Sequence, residues 1–180
     1  MKQSRFFAIL MALCLVVTMV PVLPVRAEQV TSGTLDGRTT TMTWEFEDGT
    51  LTITGDDYCI DDKTAPWEHL RYEIESIVFD GSLTIIPEIF SNFPCLKNIV
   101  WPKDVTYLNG AFNNCYNLES VVVPDTVYDL EFSFDYCISL NYAVLPAGLD
   151  CIQSSFDNCG TLCAVIFLGD APTYIYKTPF

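Results

Sequence analysis

Residues 118–139 read LESVVVPDTVYDLEFSFDYCIS, and the pattern of this stretch recurs along the 180-residue chain with a period of 22. Blocks of 22 residues begin at Ile74, Leu96, Leu118 and Leu140, and an incomplete fifth block begins at Leu162. We number the positions within a block as columns 1–22. Single units of this size cannot bury their apolar side alone, so a fixed period of this kind predicts a stack of similar turns.

Identical residues at fixed columns support the period more strongly than the apolar pattern does. Column 17 is phenylalanine in all four full blocks, and columns 7 and 20 are proline and cysteine in the last three of them. The members of these columns are Phe90, Phe112, Phe134 and Phe156; Pro102, Pro124 and Pro146; and Cys115, Cys137 and Cys159. The ring column is therefore the predicted centre of the core.

Each block reads as a strand, a turn and a return leg. In block three the alternation sends Leu118, Val121 and Val123 inward, and Pro124 ends the strand because it lacks a ladder donor. Val127 and Leu130 continue the apolar side on the return leg. The predicted fold is a β-rich solenoid of the α/β type, with 22-residue units stacked in a parallel sheet over residues 74–180.

Residues 28–73 are predicted to form a cap on this stack. Residues 43–47 and 50–54 alternate around Asp48 and Gly49, which favours a hairpin with a type I′ turn. This register pairs Phe46 with Leu51 and Trp44 with Ile53 on one apolar face. Residues 28–38 are turn-rich and are interpreted as a flexible lead-in, and residues 66–72 predict a short helix that begins at a proline.

Residues 1–27 have the composition of an export signal. Two basic residues precede an uncharged run over residues 6–20, and Val25-Arg26-Ala27 offers a cleavage site after Ala27. An uncleaved membrane anchor is the alternative, although two prolines interrupt a run that is already short for spanning. We expect a secreted or cell-surface protein without stable membrane insertion after cleavage.

The chain is strongly acidic. Residues 1–27 hold three of the nine Lys and Arg residues and none of the 23 acidic ones, so residues 28–180 carry 6 − 23 = −17 charges. This charge argues against nucleic acid as a partner, because the acidic chain would repel its phosphates. The expected partner is an extracellular or cell-envelope protein.

The cysteines favour a column of buried thiols over disulfides. Seven remain after residues 1–27, an odd number, and three of them recur at one column, where stacked side chains have poor disulfide geometry. Cys59, Cys95, Cys151 and Cys163 fall outside this column and stay unassigned.

No pattern of catalytic residues is evident, and no cofactor is expected. The single histidine, His69, lies near charged Glu68 and Arg71, which favours a surface position over a Cys–His nucleophile pair. Asp56, Asp57, Asp61 and Asp62 are close enough in sequence to bind calcium, but they do not match an EF-hand loop and also suit a solvated acidic loop. A carboxylate pair for glycoside hydrolysis stays open.

Residues 96–139 resemble the BspA-like leucine-rich repeats, whose unit reads roughly LxxIxIPxxVxxIxxxAFxxCxx. Ala111, Phe112 and Cys115 in one block and Phe134 and Cys137 in the next carry the resemblance, which extends over about residues 40–172. It implies an extracellular or surface-attached solenoid linked to adhesion or protein contact, and it implies no catalytic residues.

The outward columns of the strands form the predicted binding face. Column 5 is an aliphatic strip and column 3 lies beside it; they comprise Val78, Val100, Val122, Val144 and Ile166, and Ser76, Asn98, Ser120, Tyr142 and Ala164. A contiguous exposed apolar patch marks an interface, whereas β-branched residues also simply suit a parallel sheet. The function hypotheses are protein binding or adhesion through this face, a structural spacer without a ligand and, less favoured, a secreted hydrolase.

Overall fold

The computed structural model describes residues 29–60, 64–170, 172 and 174–176. The predicted signal at residues 1–27, and Asp61 and Asp62 of the acidic loop, lie outside this part of the chain. The described residues from Thr31 onward form one compact unit. Its strands, in chain order, are β1 (Ser32–Asp36), β2 (Thr41–Glu47), β3 (Thr50–Thr54), β4 (Asp57–Cys59), β5 (Ser76–Asp80), β6 (Leu83–Pro87), β7 (Asn98–Val100), β8 (Tyr107–Asn109), β9 (Ser120–Val122), β10 (Tyr142–Leu145), β11 (Cys151–Gln153), β12 (Ala164–Phe167) and β13 (Tyr174–Tyr176).

The predicted hairpin is formed by β2 and β3. Phe46 pairs with Leu51 and Trp44 with Ile53, and the turn residues Asp48 and Gly49 both have positive φ, 46° and 79°, as a type I′ turn requires. The prediction that residues 28–38 form a flexible lead-in is wrong for Ser32–Asp36, which pairs antiparallel with β2. Leu35 anchors this strand because its side chain is fully buried.

The segment between the hairpin and the repeats contains a 3₁₀ helix at Glu68–Leu70, close to the predicted short helix. Trp67 and Leu70 are completely buried, and the Trp67 ring stacks on Phe90 with a centroid separation of 5.2 Å. This segment therefore covers the N-terminal end of the ring column.

The repeats form a parallel solenoid with five outgoing strands, β5, β7, β9, β10 and β12. Paired residues are 22 positions apart, as in Ser76 with Asn98 and Tyr142 with Ala164. This parallel stack of 22-residue units confirms the predicted fold class, and its outgoing strands lie in two sheets. They divide into the order β1-β2-β3-β5-β7 and the order β9-β10-β12, with no pairing between β7 and β9 in the described part of the chain.

The return legs form a second ladder. β4, β6 and β8 are paired in parallel, and β11 pairs with β13. Asp129 bridges the two groups, since it pairs with both Tyr107 and Cys151. Consecutive turns are therefore held together on the return side even where the outgoing strands separate.

The core follows the predicted columns. All four column-17 rings are fully buried, and Phe112, Phe134 and Phe156 stack in register with centroids 5.7 Å apart. The inward positions of the full blocks are buried except in the second block, where Ile99 and Trp101 are only half-buried. These two residues flank the separation between β7 and β9.

The column-20 cysteines form the predicted column of thiols. Cys115 and Cys137 are fully buried and Cys159 is half-buried. The Cys137 thiol donates to the Phe112 carbonyl at 3.3 Å, and the Cys159 thiol donates to the Phe134 carbonyl at 3.2 Å. The thiols of Cys137 and Cys159 thus bond to the preceding turn, and none of the seven cysteines in the described residues forms a disulfide.

Candidate protein-binding face

The column-5 side chains project outward, as the period-two alternation predicts, but they are not equally accessible. Val100, Val122 and Ile166 are 51%, 59% and 48% exposed, whereas Val78 and Val144 are half-buried. The difference follows from the sheet topology, because the two half-buried residues lie on strands with a neighbour on each side. The exposed ones lie at the separation or on the last outgoing strand.

The column-3 side chains alternate with this strip and are mostly polar. Asn98, Tyr142 and Ala164 are exposed, whereas Ser76 and Ser120 are half-buried. The structure thus places all ten predicted residues on outgoing strands, although the sheet division separates them into two groups.

A groove opens between β7 and β9, in the middle of the predicted face. Its larger part has a volume of about 760 Å³ and is lined by residues that include Val100, Trp101 and Val122. An adjoining part of about 570 Å³ shares Asn98 and Ser120 with it. The groove therefore combines two of the three exposed column-5 side chains, Val100 and Val122, with the column-3 groups of Asn98 and Ser120.

Trp101 lies where the two strands separate and lines the groove. It occupies column 6, where the next turn has the much smaller Val123, and its ring contacts Phe112 edge to face at 5.5 Å. A large ring in column 6 is compatible with pairing in the first block, where Phe79 lies on β5, a strand with a neighbour on each side.

The charge at the groove is negative on balance. Lys97 is paired with Glu75 at 2.8 Å, and this ion pair raises the pKa of Lys97. Glu119 lines the groove and also contributes to raising the pKa of Lys97, so two carboxylates face one ammonium group here. The face can therefore accept an additional cation.

The two described residues of the acidic loop, Asp56 and Asp57, form hydrogen bonds with the rest of the fold. One carboxylate oxygen of Asp57 accepts hydrogen bonds from the backbone N–H groups of Thr39 and Thr40 at 2.9 and 2.7 Å, and the other accepts from Tyr58 N–H. Asp56 accepts from the Ser82 N–H at 2.7 Å. These carboxylates hold the β1–β2 turn and the first repeat, and the described residues contain no cluster suited to a metal ion.

The single histidine and the column-20 thiols lie in different environments. His69 is an exposed residue of the 3₁₀ helix. Hydrogen bonding with the neighbouring thiol and burial raise the pKa of Cys137 and Cys159. Since the thiolate is the reactive form, both are poor nucleophiles.

A polar cluster on the return ladder was not anticipated from the sequence. The Tyr107 hydroxyl donates to Glu131, while Asp129 and Cys151 are the next positions of the same ladder. Burial raises the pKa of Tyr107, Asp129 and Cys151. This cluster could have been recognised in the sequence, because three of its members share one column, one period apart: Tyr107, Asp129 and Cys151.

A second signal that sequence reasoning missed is column 19. Asn92, Asn114, Tyr136 and Asn158 all have positive φ, between 56° and 64°. Asparagine tolerates this left-handed conformation better than most residues, and three asparagines in one column indicate a repeated left-handed turn.

The repeat family of the chain is identified by a comparison with family models. Residues 69–180 match the family model described as BspA type leucine rich repeat region, in six copies. No curated protein matches the chain. A leucine rich cell surface protein from Faecalibacterium prausnitzii A2-165 is similar in structure, with 19% sequence identity and a TM-score of 0.44 over 72% of this chain. The match spans 38% of that protein's chain.

No helix in the described part of the chain has the length and apolarity needed to span a bilayer.

Proposed function

Because this chain belongs to the family of BspA-type leucine-rich repeats, we propose that it is a non-enzymatic repeat module that binds another protein through its outgoing-strand face. The observation that carries the proposal is the groove between β7 and β9, where Val100 and Val122 are both more than half exposed. Exposed apolar groups rimmed by polar ones are typical of an interface. The partner is an extracellular or cell-envelope protein.

Export to the cell surface or beyond is part of the proposal. It is supported by the family and by the composition of residues 1–27. Expression in the producing organism should yield a protein whose N-terminus is Glu28. An intact N-terminus at Met1 on the recovered protein would contradict it.

Capture of extracellular and envelope proteins by the immobilised chain tests the binding face. Val122→Arg places a charge on the groove without touching the core, so it should abolish capture and leave the urea midpoint nearly unchanged. Ile138→Arg is the matched control, because Ile138 is 49% exposed and lies outside the strands. It should capture the partner like the unmodified chain.

Equal capture by both variants would move the interface away from the outgoing strands. A chain that captures nothing at physiological salt would favour the spacer function instead.

A further inference from the structure

The groove between β7 and β9 is open on the outgoing-strand side and closed on the return side. On the return side the same two turns are joined, with Leu108 N–H donating to Asp129 at 3.1 Å and Gly110 N–H to Glu131 at 3.0 Å. On the outgoing side β7 and β9 belong to different sheets. The turns therefore diverge towards the predicted binding face, and two strand edges border the opening.

The orientation of the β9 backbone follows from its other edge. Val123 N–H donates to the Val144 carbonyl at 2.9 Å, towards β10. Backbone groups alternate sides along a strand, so the N–H and C=O groups of Ser120 and Val122 point towards β7. Since β7 does not pair with them, these are hydrogen-bonding groups at an open strand edge.

We propose that the groove binds an extended peptide segment of the partner, which adds to the open edge of β9 as a parallel strand. This proposal rests on the function proposed above and names how the partner is held. Main-chain hydrogen bonds supply the affinity in such strand addition, and alternate side chains supply the specificity. Here Val100 and Val122 favour β-branched residues on the peptide.

Charge complementarity defines the rest of the peptide. The chain carries a formal net charge of −14, Lys97 is neutralised by Glu75, and the Glu119 carboxylate lines the groove near the start of β9. Lys97 is one cation beside two carboxylates, Glu75 and Glu119, so a basic residue at the peptide terminus beside Glu119 would balance the remaining negative charge. The expected segment is therefore extended, β-branched and basic at its N-terminal end.

The probe is a synthetic peptide, acetyl-KVTVTV-amide, titrated into the full chain. Trp101 lines the groove, whereas Trp44 and Trp67 are buried, so a change in tryptophan emission that Trp101→Phe removes reports binding at this place. The same peptide with alternate backbone amides N-methylated should bind at least tenfold more weakly. EVTVTV, which reverses the charge at the first position, should bind at least threefold more weakly.

Two substitutions at one residue separate backbone pairing from side-chain contact. Val122→Pro removes the N–H that faces the groove and keeps the Val123 N–H that bonds β10, so it should weaken KVTVTV binding at least tenfold. Val122→Thr keeps the N–H and the branched shape and should change binding less than threefold. Undiminished binding by Val122→Pro or by the N-methylated peptide, or no binding of KVTVTV, would overturn strand addition.

Hydrogen exchange of the unmodified chain tests the open edge without any variant. The Val122 amide should exchange at least tenfold faster than the Val144 amide, and KVTVTV should slow it. Equal protection of the two amides in the free chain would show a closed sheet and overturn the proposal. If Val122→Arg abolishes partner capture while these tests fail, the face binds through side chains only, so the two proposals fail separately.

Discussion

At the residue scale, column 19 has a left-handed backbone conformation, and the free-energy cost of adopting it depends on which residue a block has there. Asparagine occupies this column in blocks one, two and four, as Asn92, Asn114 and Asn158. Block three has Tyr136 instead, with φ 56°. Tyr136 is 47% exposed, so little packing is lost when its ring is removed. We expect Tyr136→Asn to stabilise the chain by about 0.5–1 kcal/mol in urea unfolding.

The reverse change provides the control. Asn114→Tyr should destabilise by a similar amount and also removes the amide that donates to Asn92 at 3.1 Å. A destabilised Tyr136→Asn variant would show that the tyrosine ring contributes more than the strain relieved.

The ring column supplies the second test at this scale. Phe134 is fully buried between Phe112 and Phe156, with centroids 5.7 Å away on both sides. Phe134→Ala should lower the free energy of unfolding by about 3–5 kcal/mol, measured in denaturant. Phe132→Ala is matched to it, because Phe132 also has positive φ but is 41% exposed.

The control substitution should cost less than about 1 kcal/mol, since both changes leave the backbone strain in place. Equal costs for the two variants would show that the ring column is not the centre of the core.

At the element scale, the turn between β1 and β2 depends on one carboxylate from β4. Burial alone would raise the pKa of Asp57, but hydrogen bonds from the backbone N–H groups of Thr39, Thr40 and Tyr58 outweigh it and hold the pKa below its usual range. A depressed folded-state pKa contributes stability above the unfolded pKa of about 3.9, and this contribution is lost as the pH falls towards the folded value.

Asp57→Asn removes this contribution, so the stability difference between the unmodified chain and the variant should be largest near neutral pH. It should shrink steadily as the pH falls below about 4, as measured by urea unfolding of both proteins at each pH. A difference that is constant over this range would mean that the Asp57 charge does not hold the turn.

The elements also show how far the sequence can predict this fold. The register of β2 and β3 and the outward direction of column 5 were predictable, because side-chain alternation alone specifies them. Strand β1 was missed because Leu35 is its only buried side chain, too little for an alternating pattern. The separation of β7 from β9 could not be predicted, because Trp101 satisfies the apolar pattern of column 6 and that pattern carries no information on strand spacing.

At the scale of the whole molecule, stability is shared among neighbouring turns, and the two ends differ. Trp67 covers the N-terminal end of the ring column. At the other end Leu162, Val165 and Phe167 are only half-buried and line an open cavity of about 390 Å³. In a stack where each turn contacts only its neighbours, the last described turn has the weakest support.

The net charge acts on this entire stack. Nine basic residues face 23 acidic ones, and mutual repulsion among like charges favours the expanded, unfolded chain. Salt screens this repulsion within a Debye length of about 10 Å at 0.1 M. Raising NaCl from about 10 mM to about 150 mM should therefore raise the free energy of unfolding by roughly 1 kcal/mol, or the melting temperature by about 2–4 °C.

A charge-altered variant distinguishes this screening from a general effect of salt on apolar burial. Asp125, Asp150 and Asp170 are exposed, and their combined substitution by lysine moves the net charge from −14 towards zero by two units at each position. The variant should be more stable than the unmodified chain at low salt and should gain less from added NaCl. An equal salt response of the two proteins would show that the acidic surface does not limit stability, and that the excess of carboxylates acts only in solubility and partner selection.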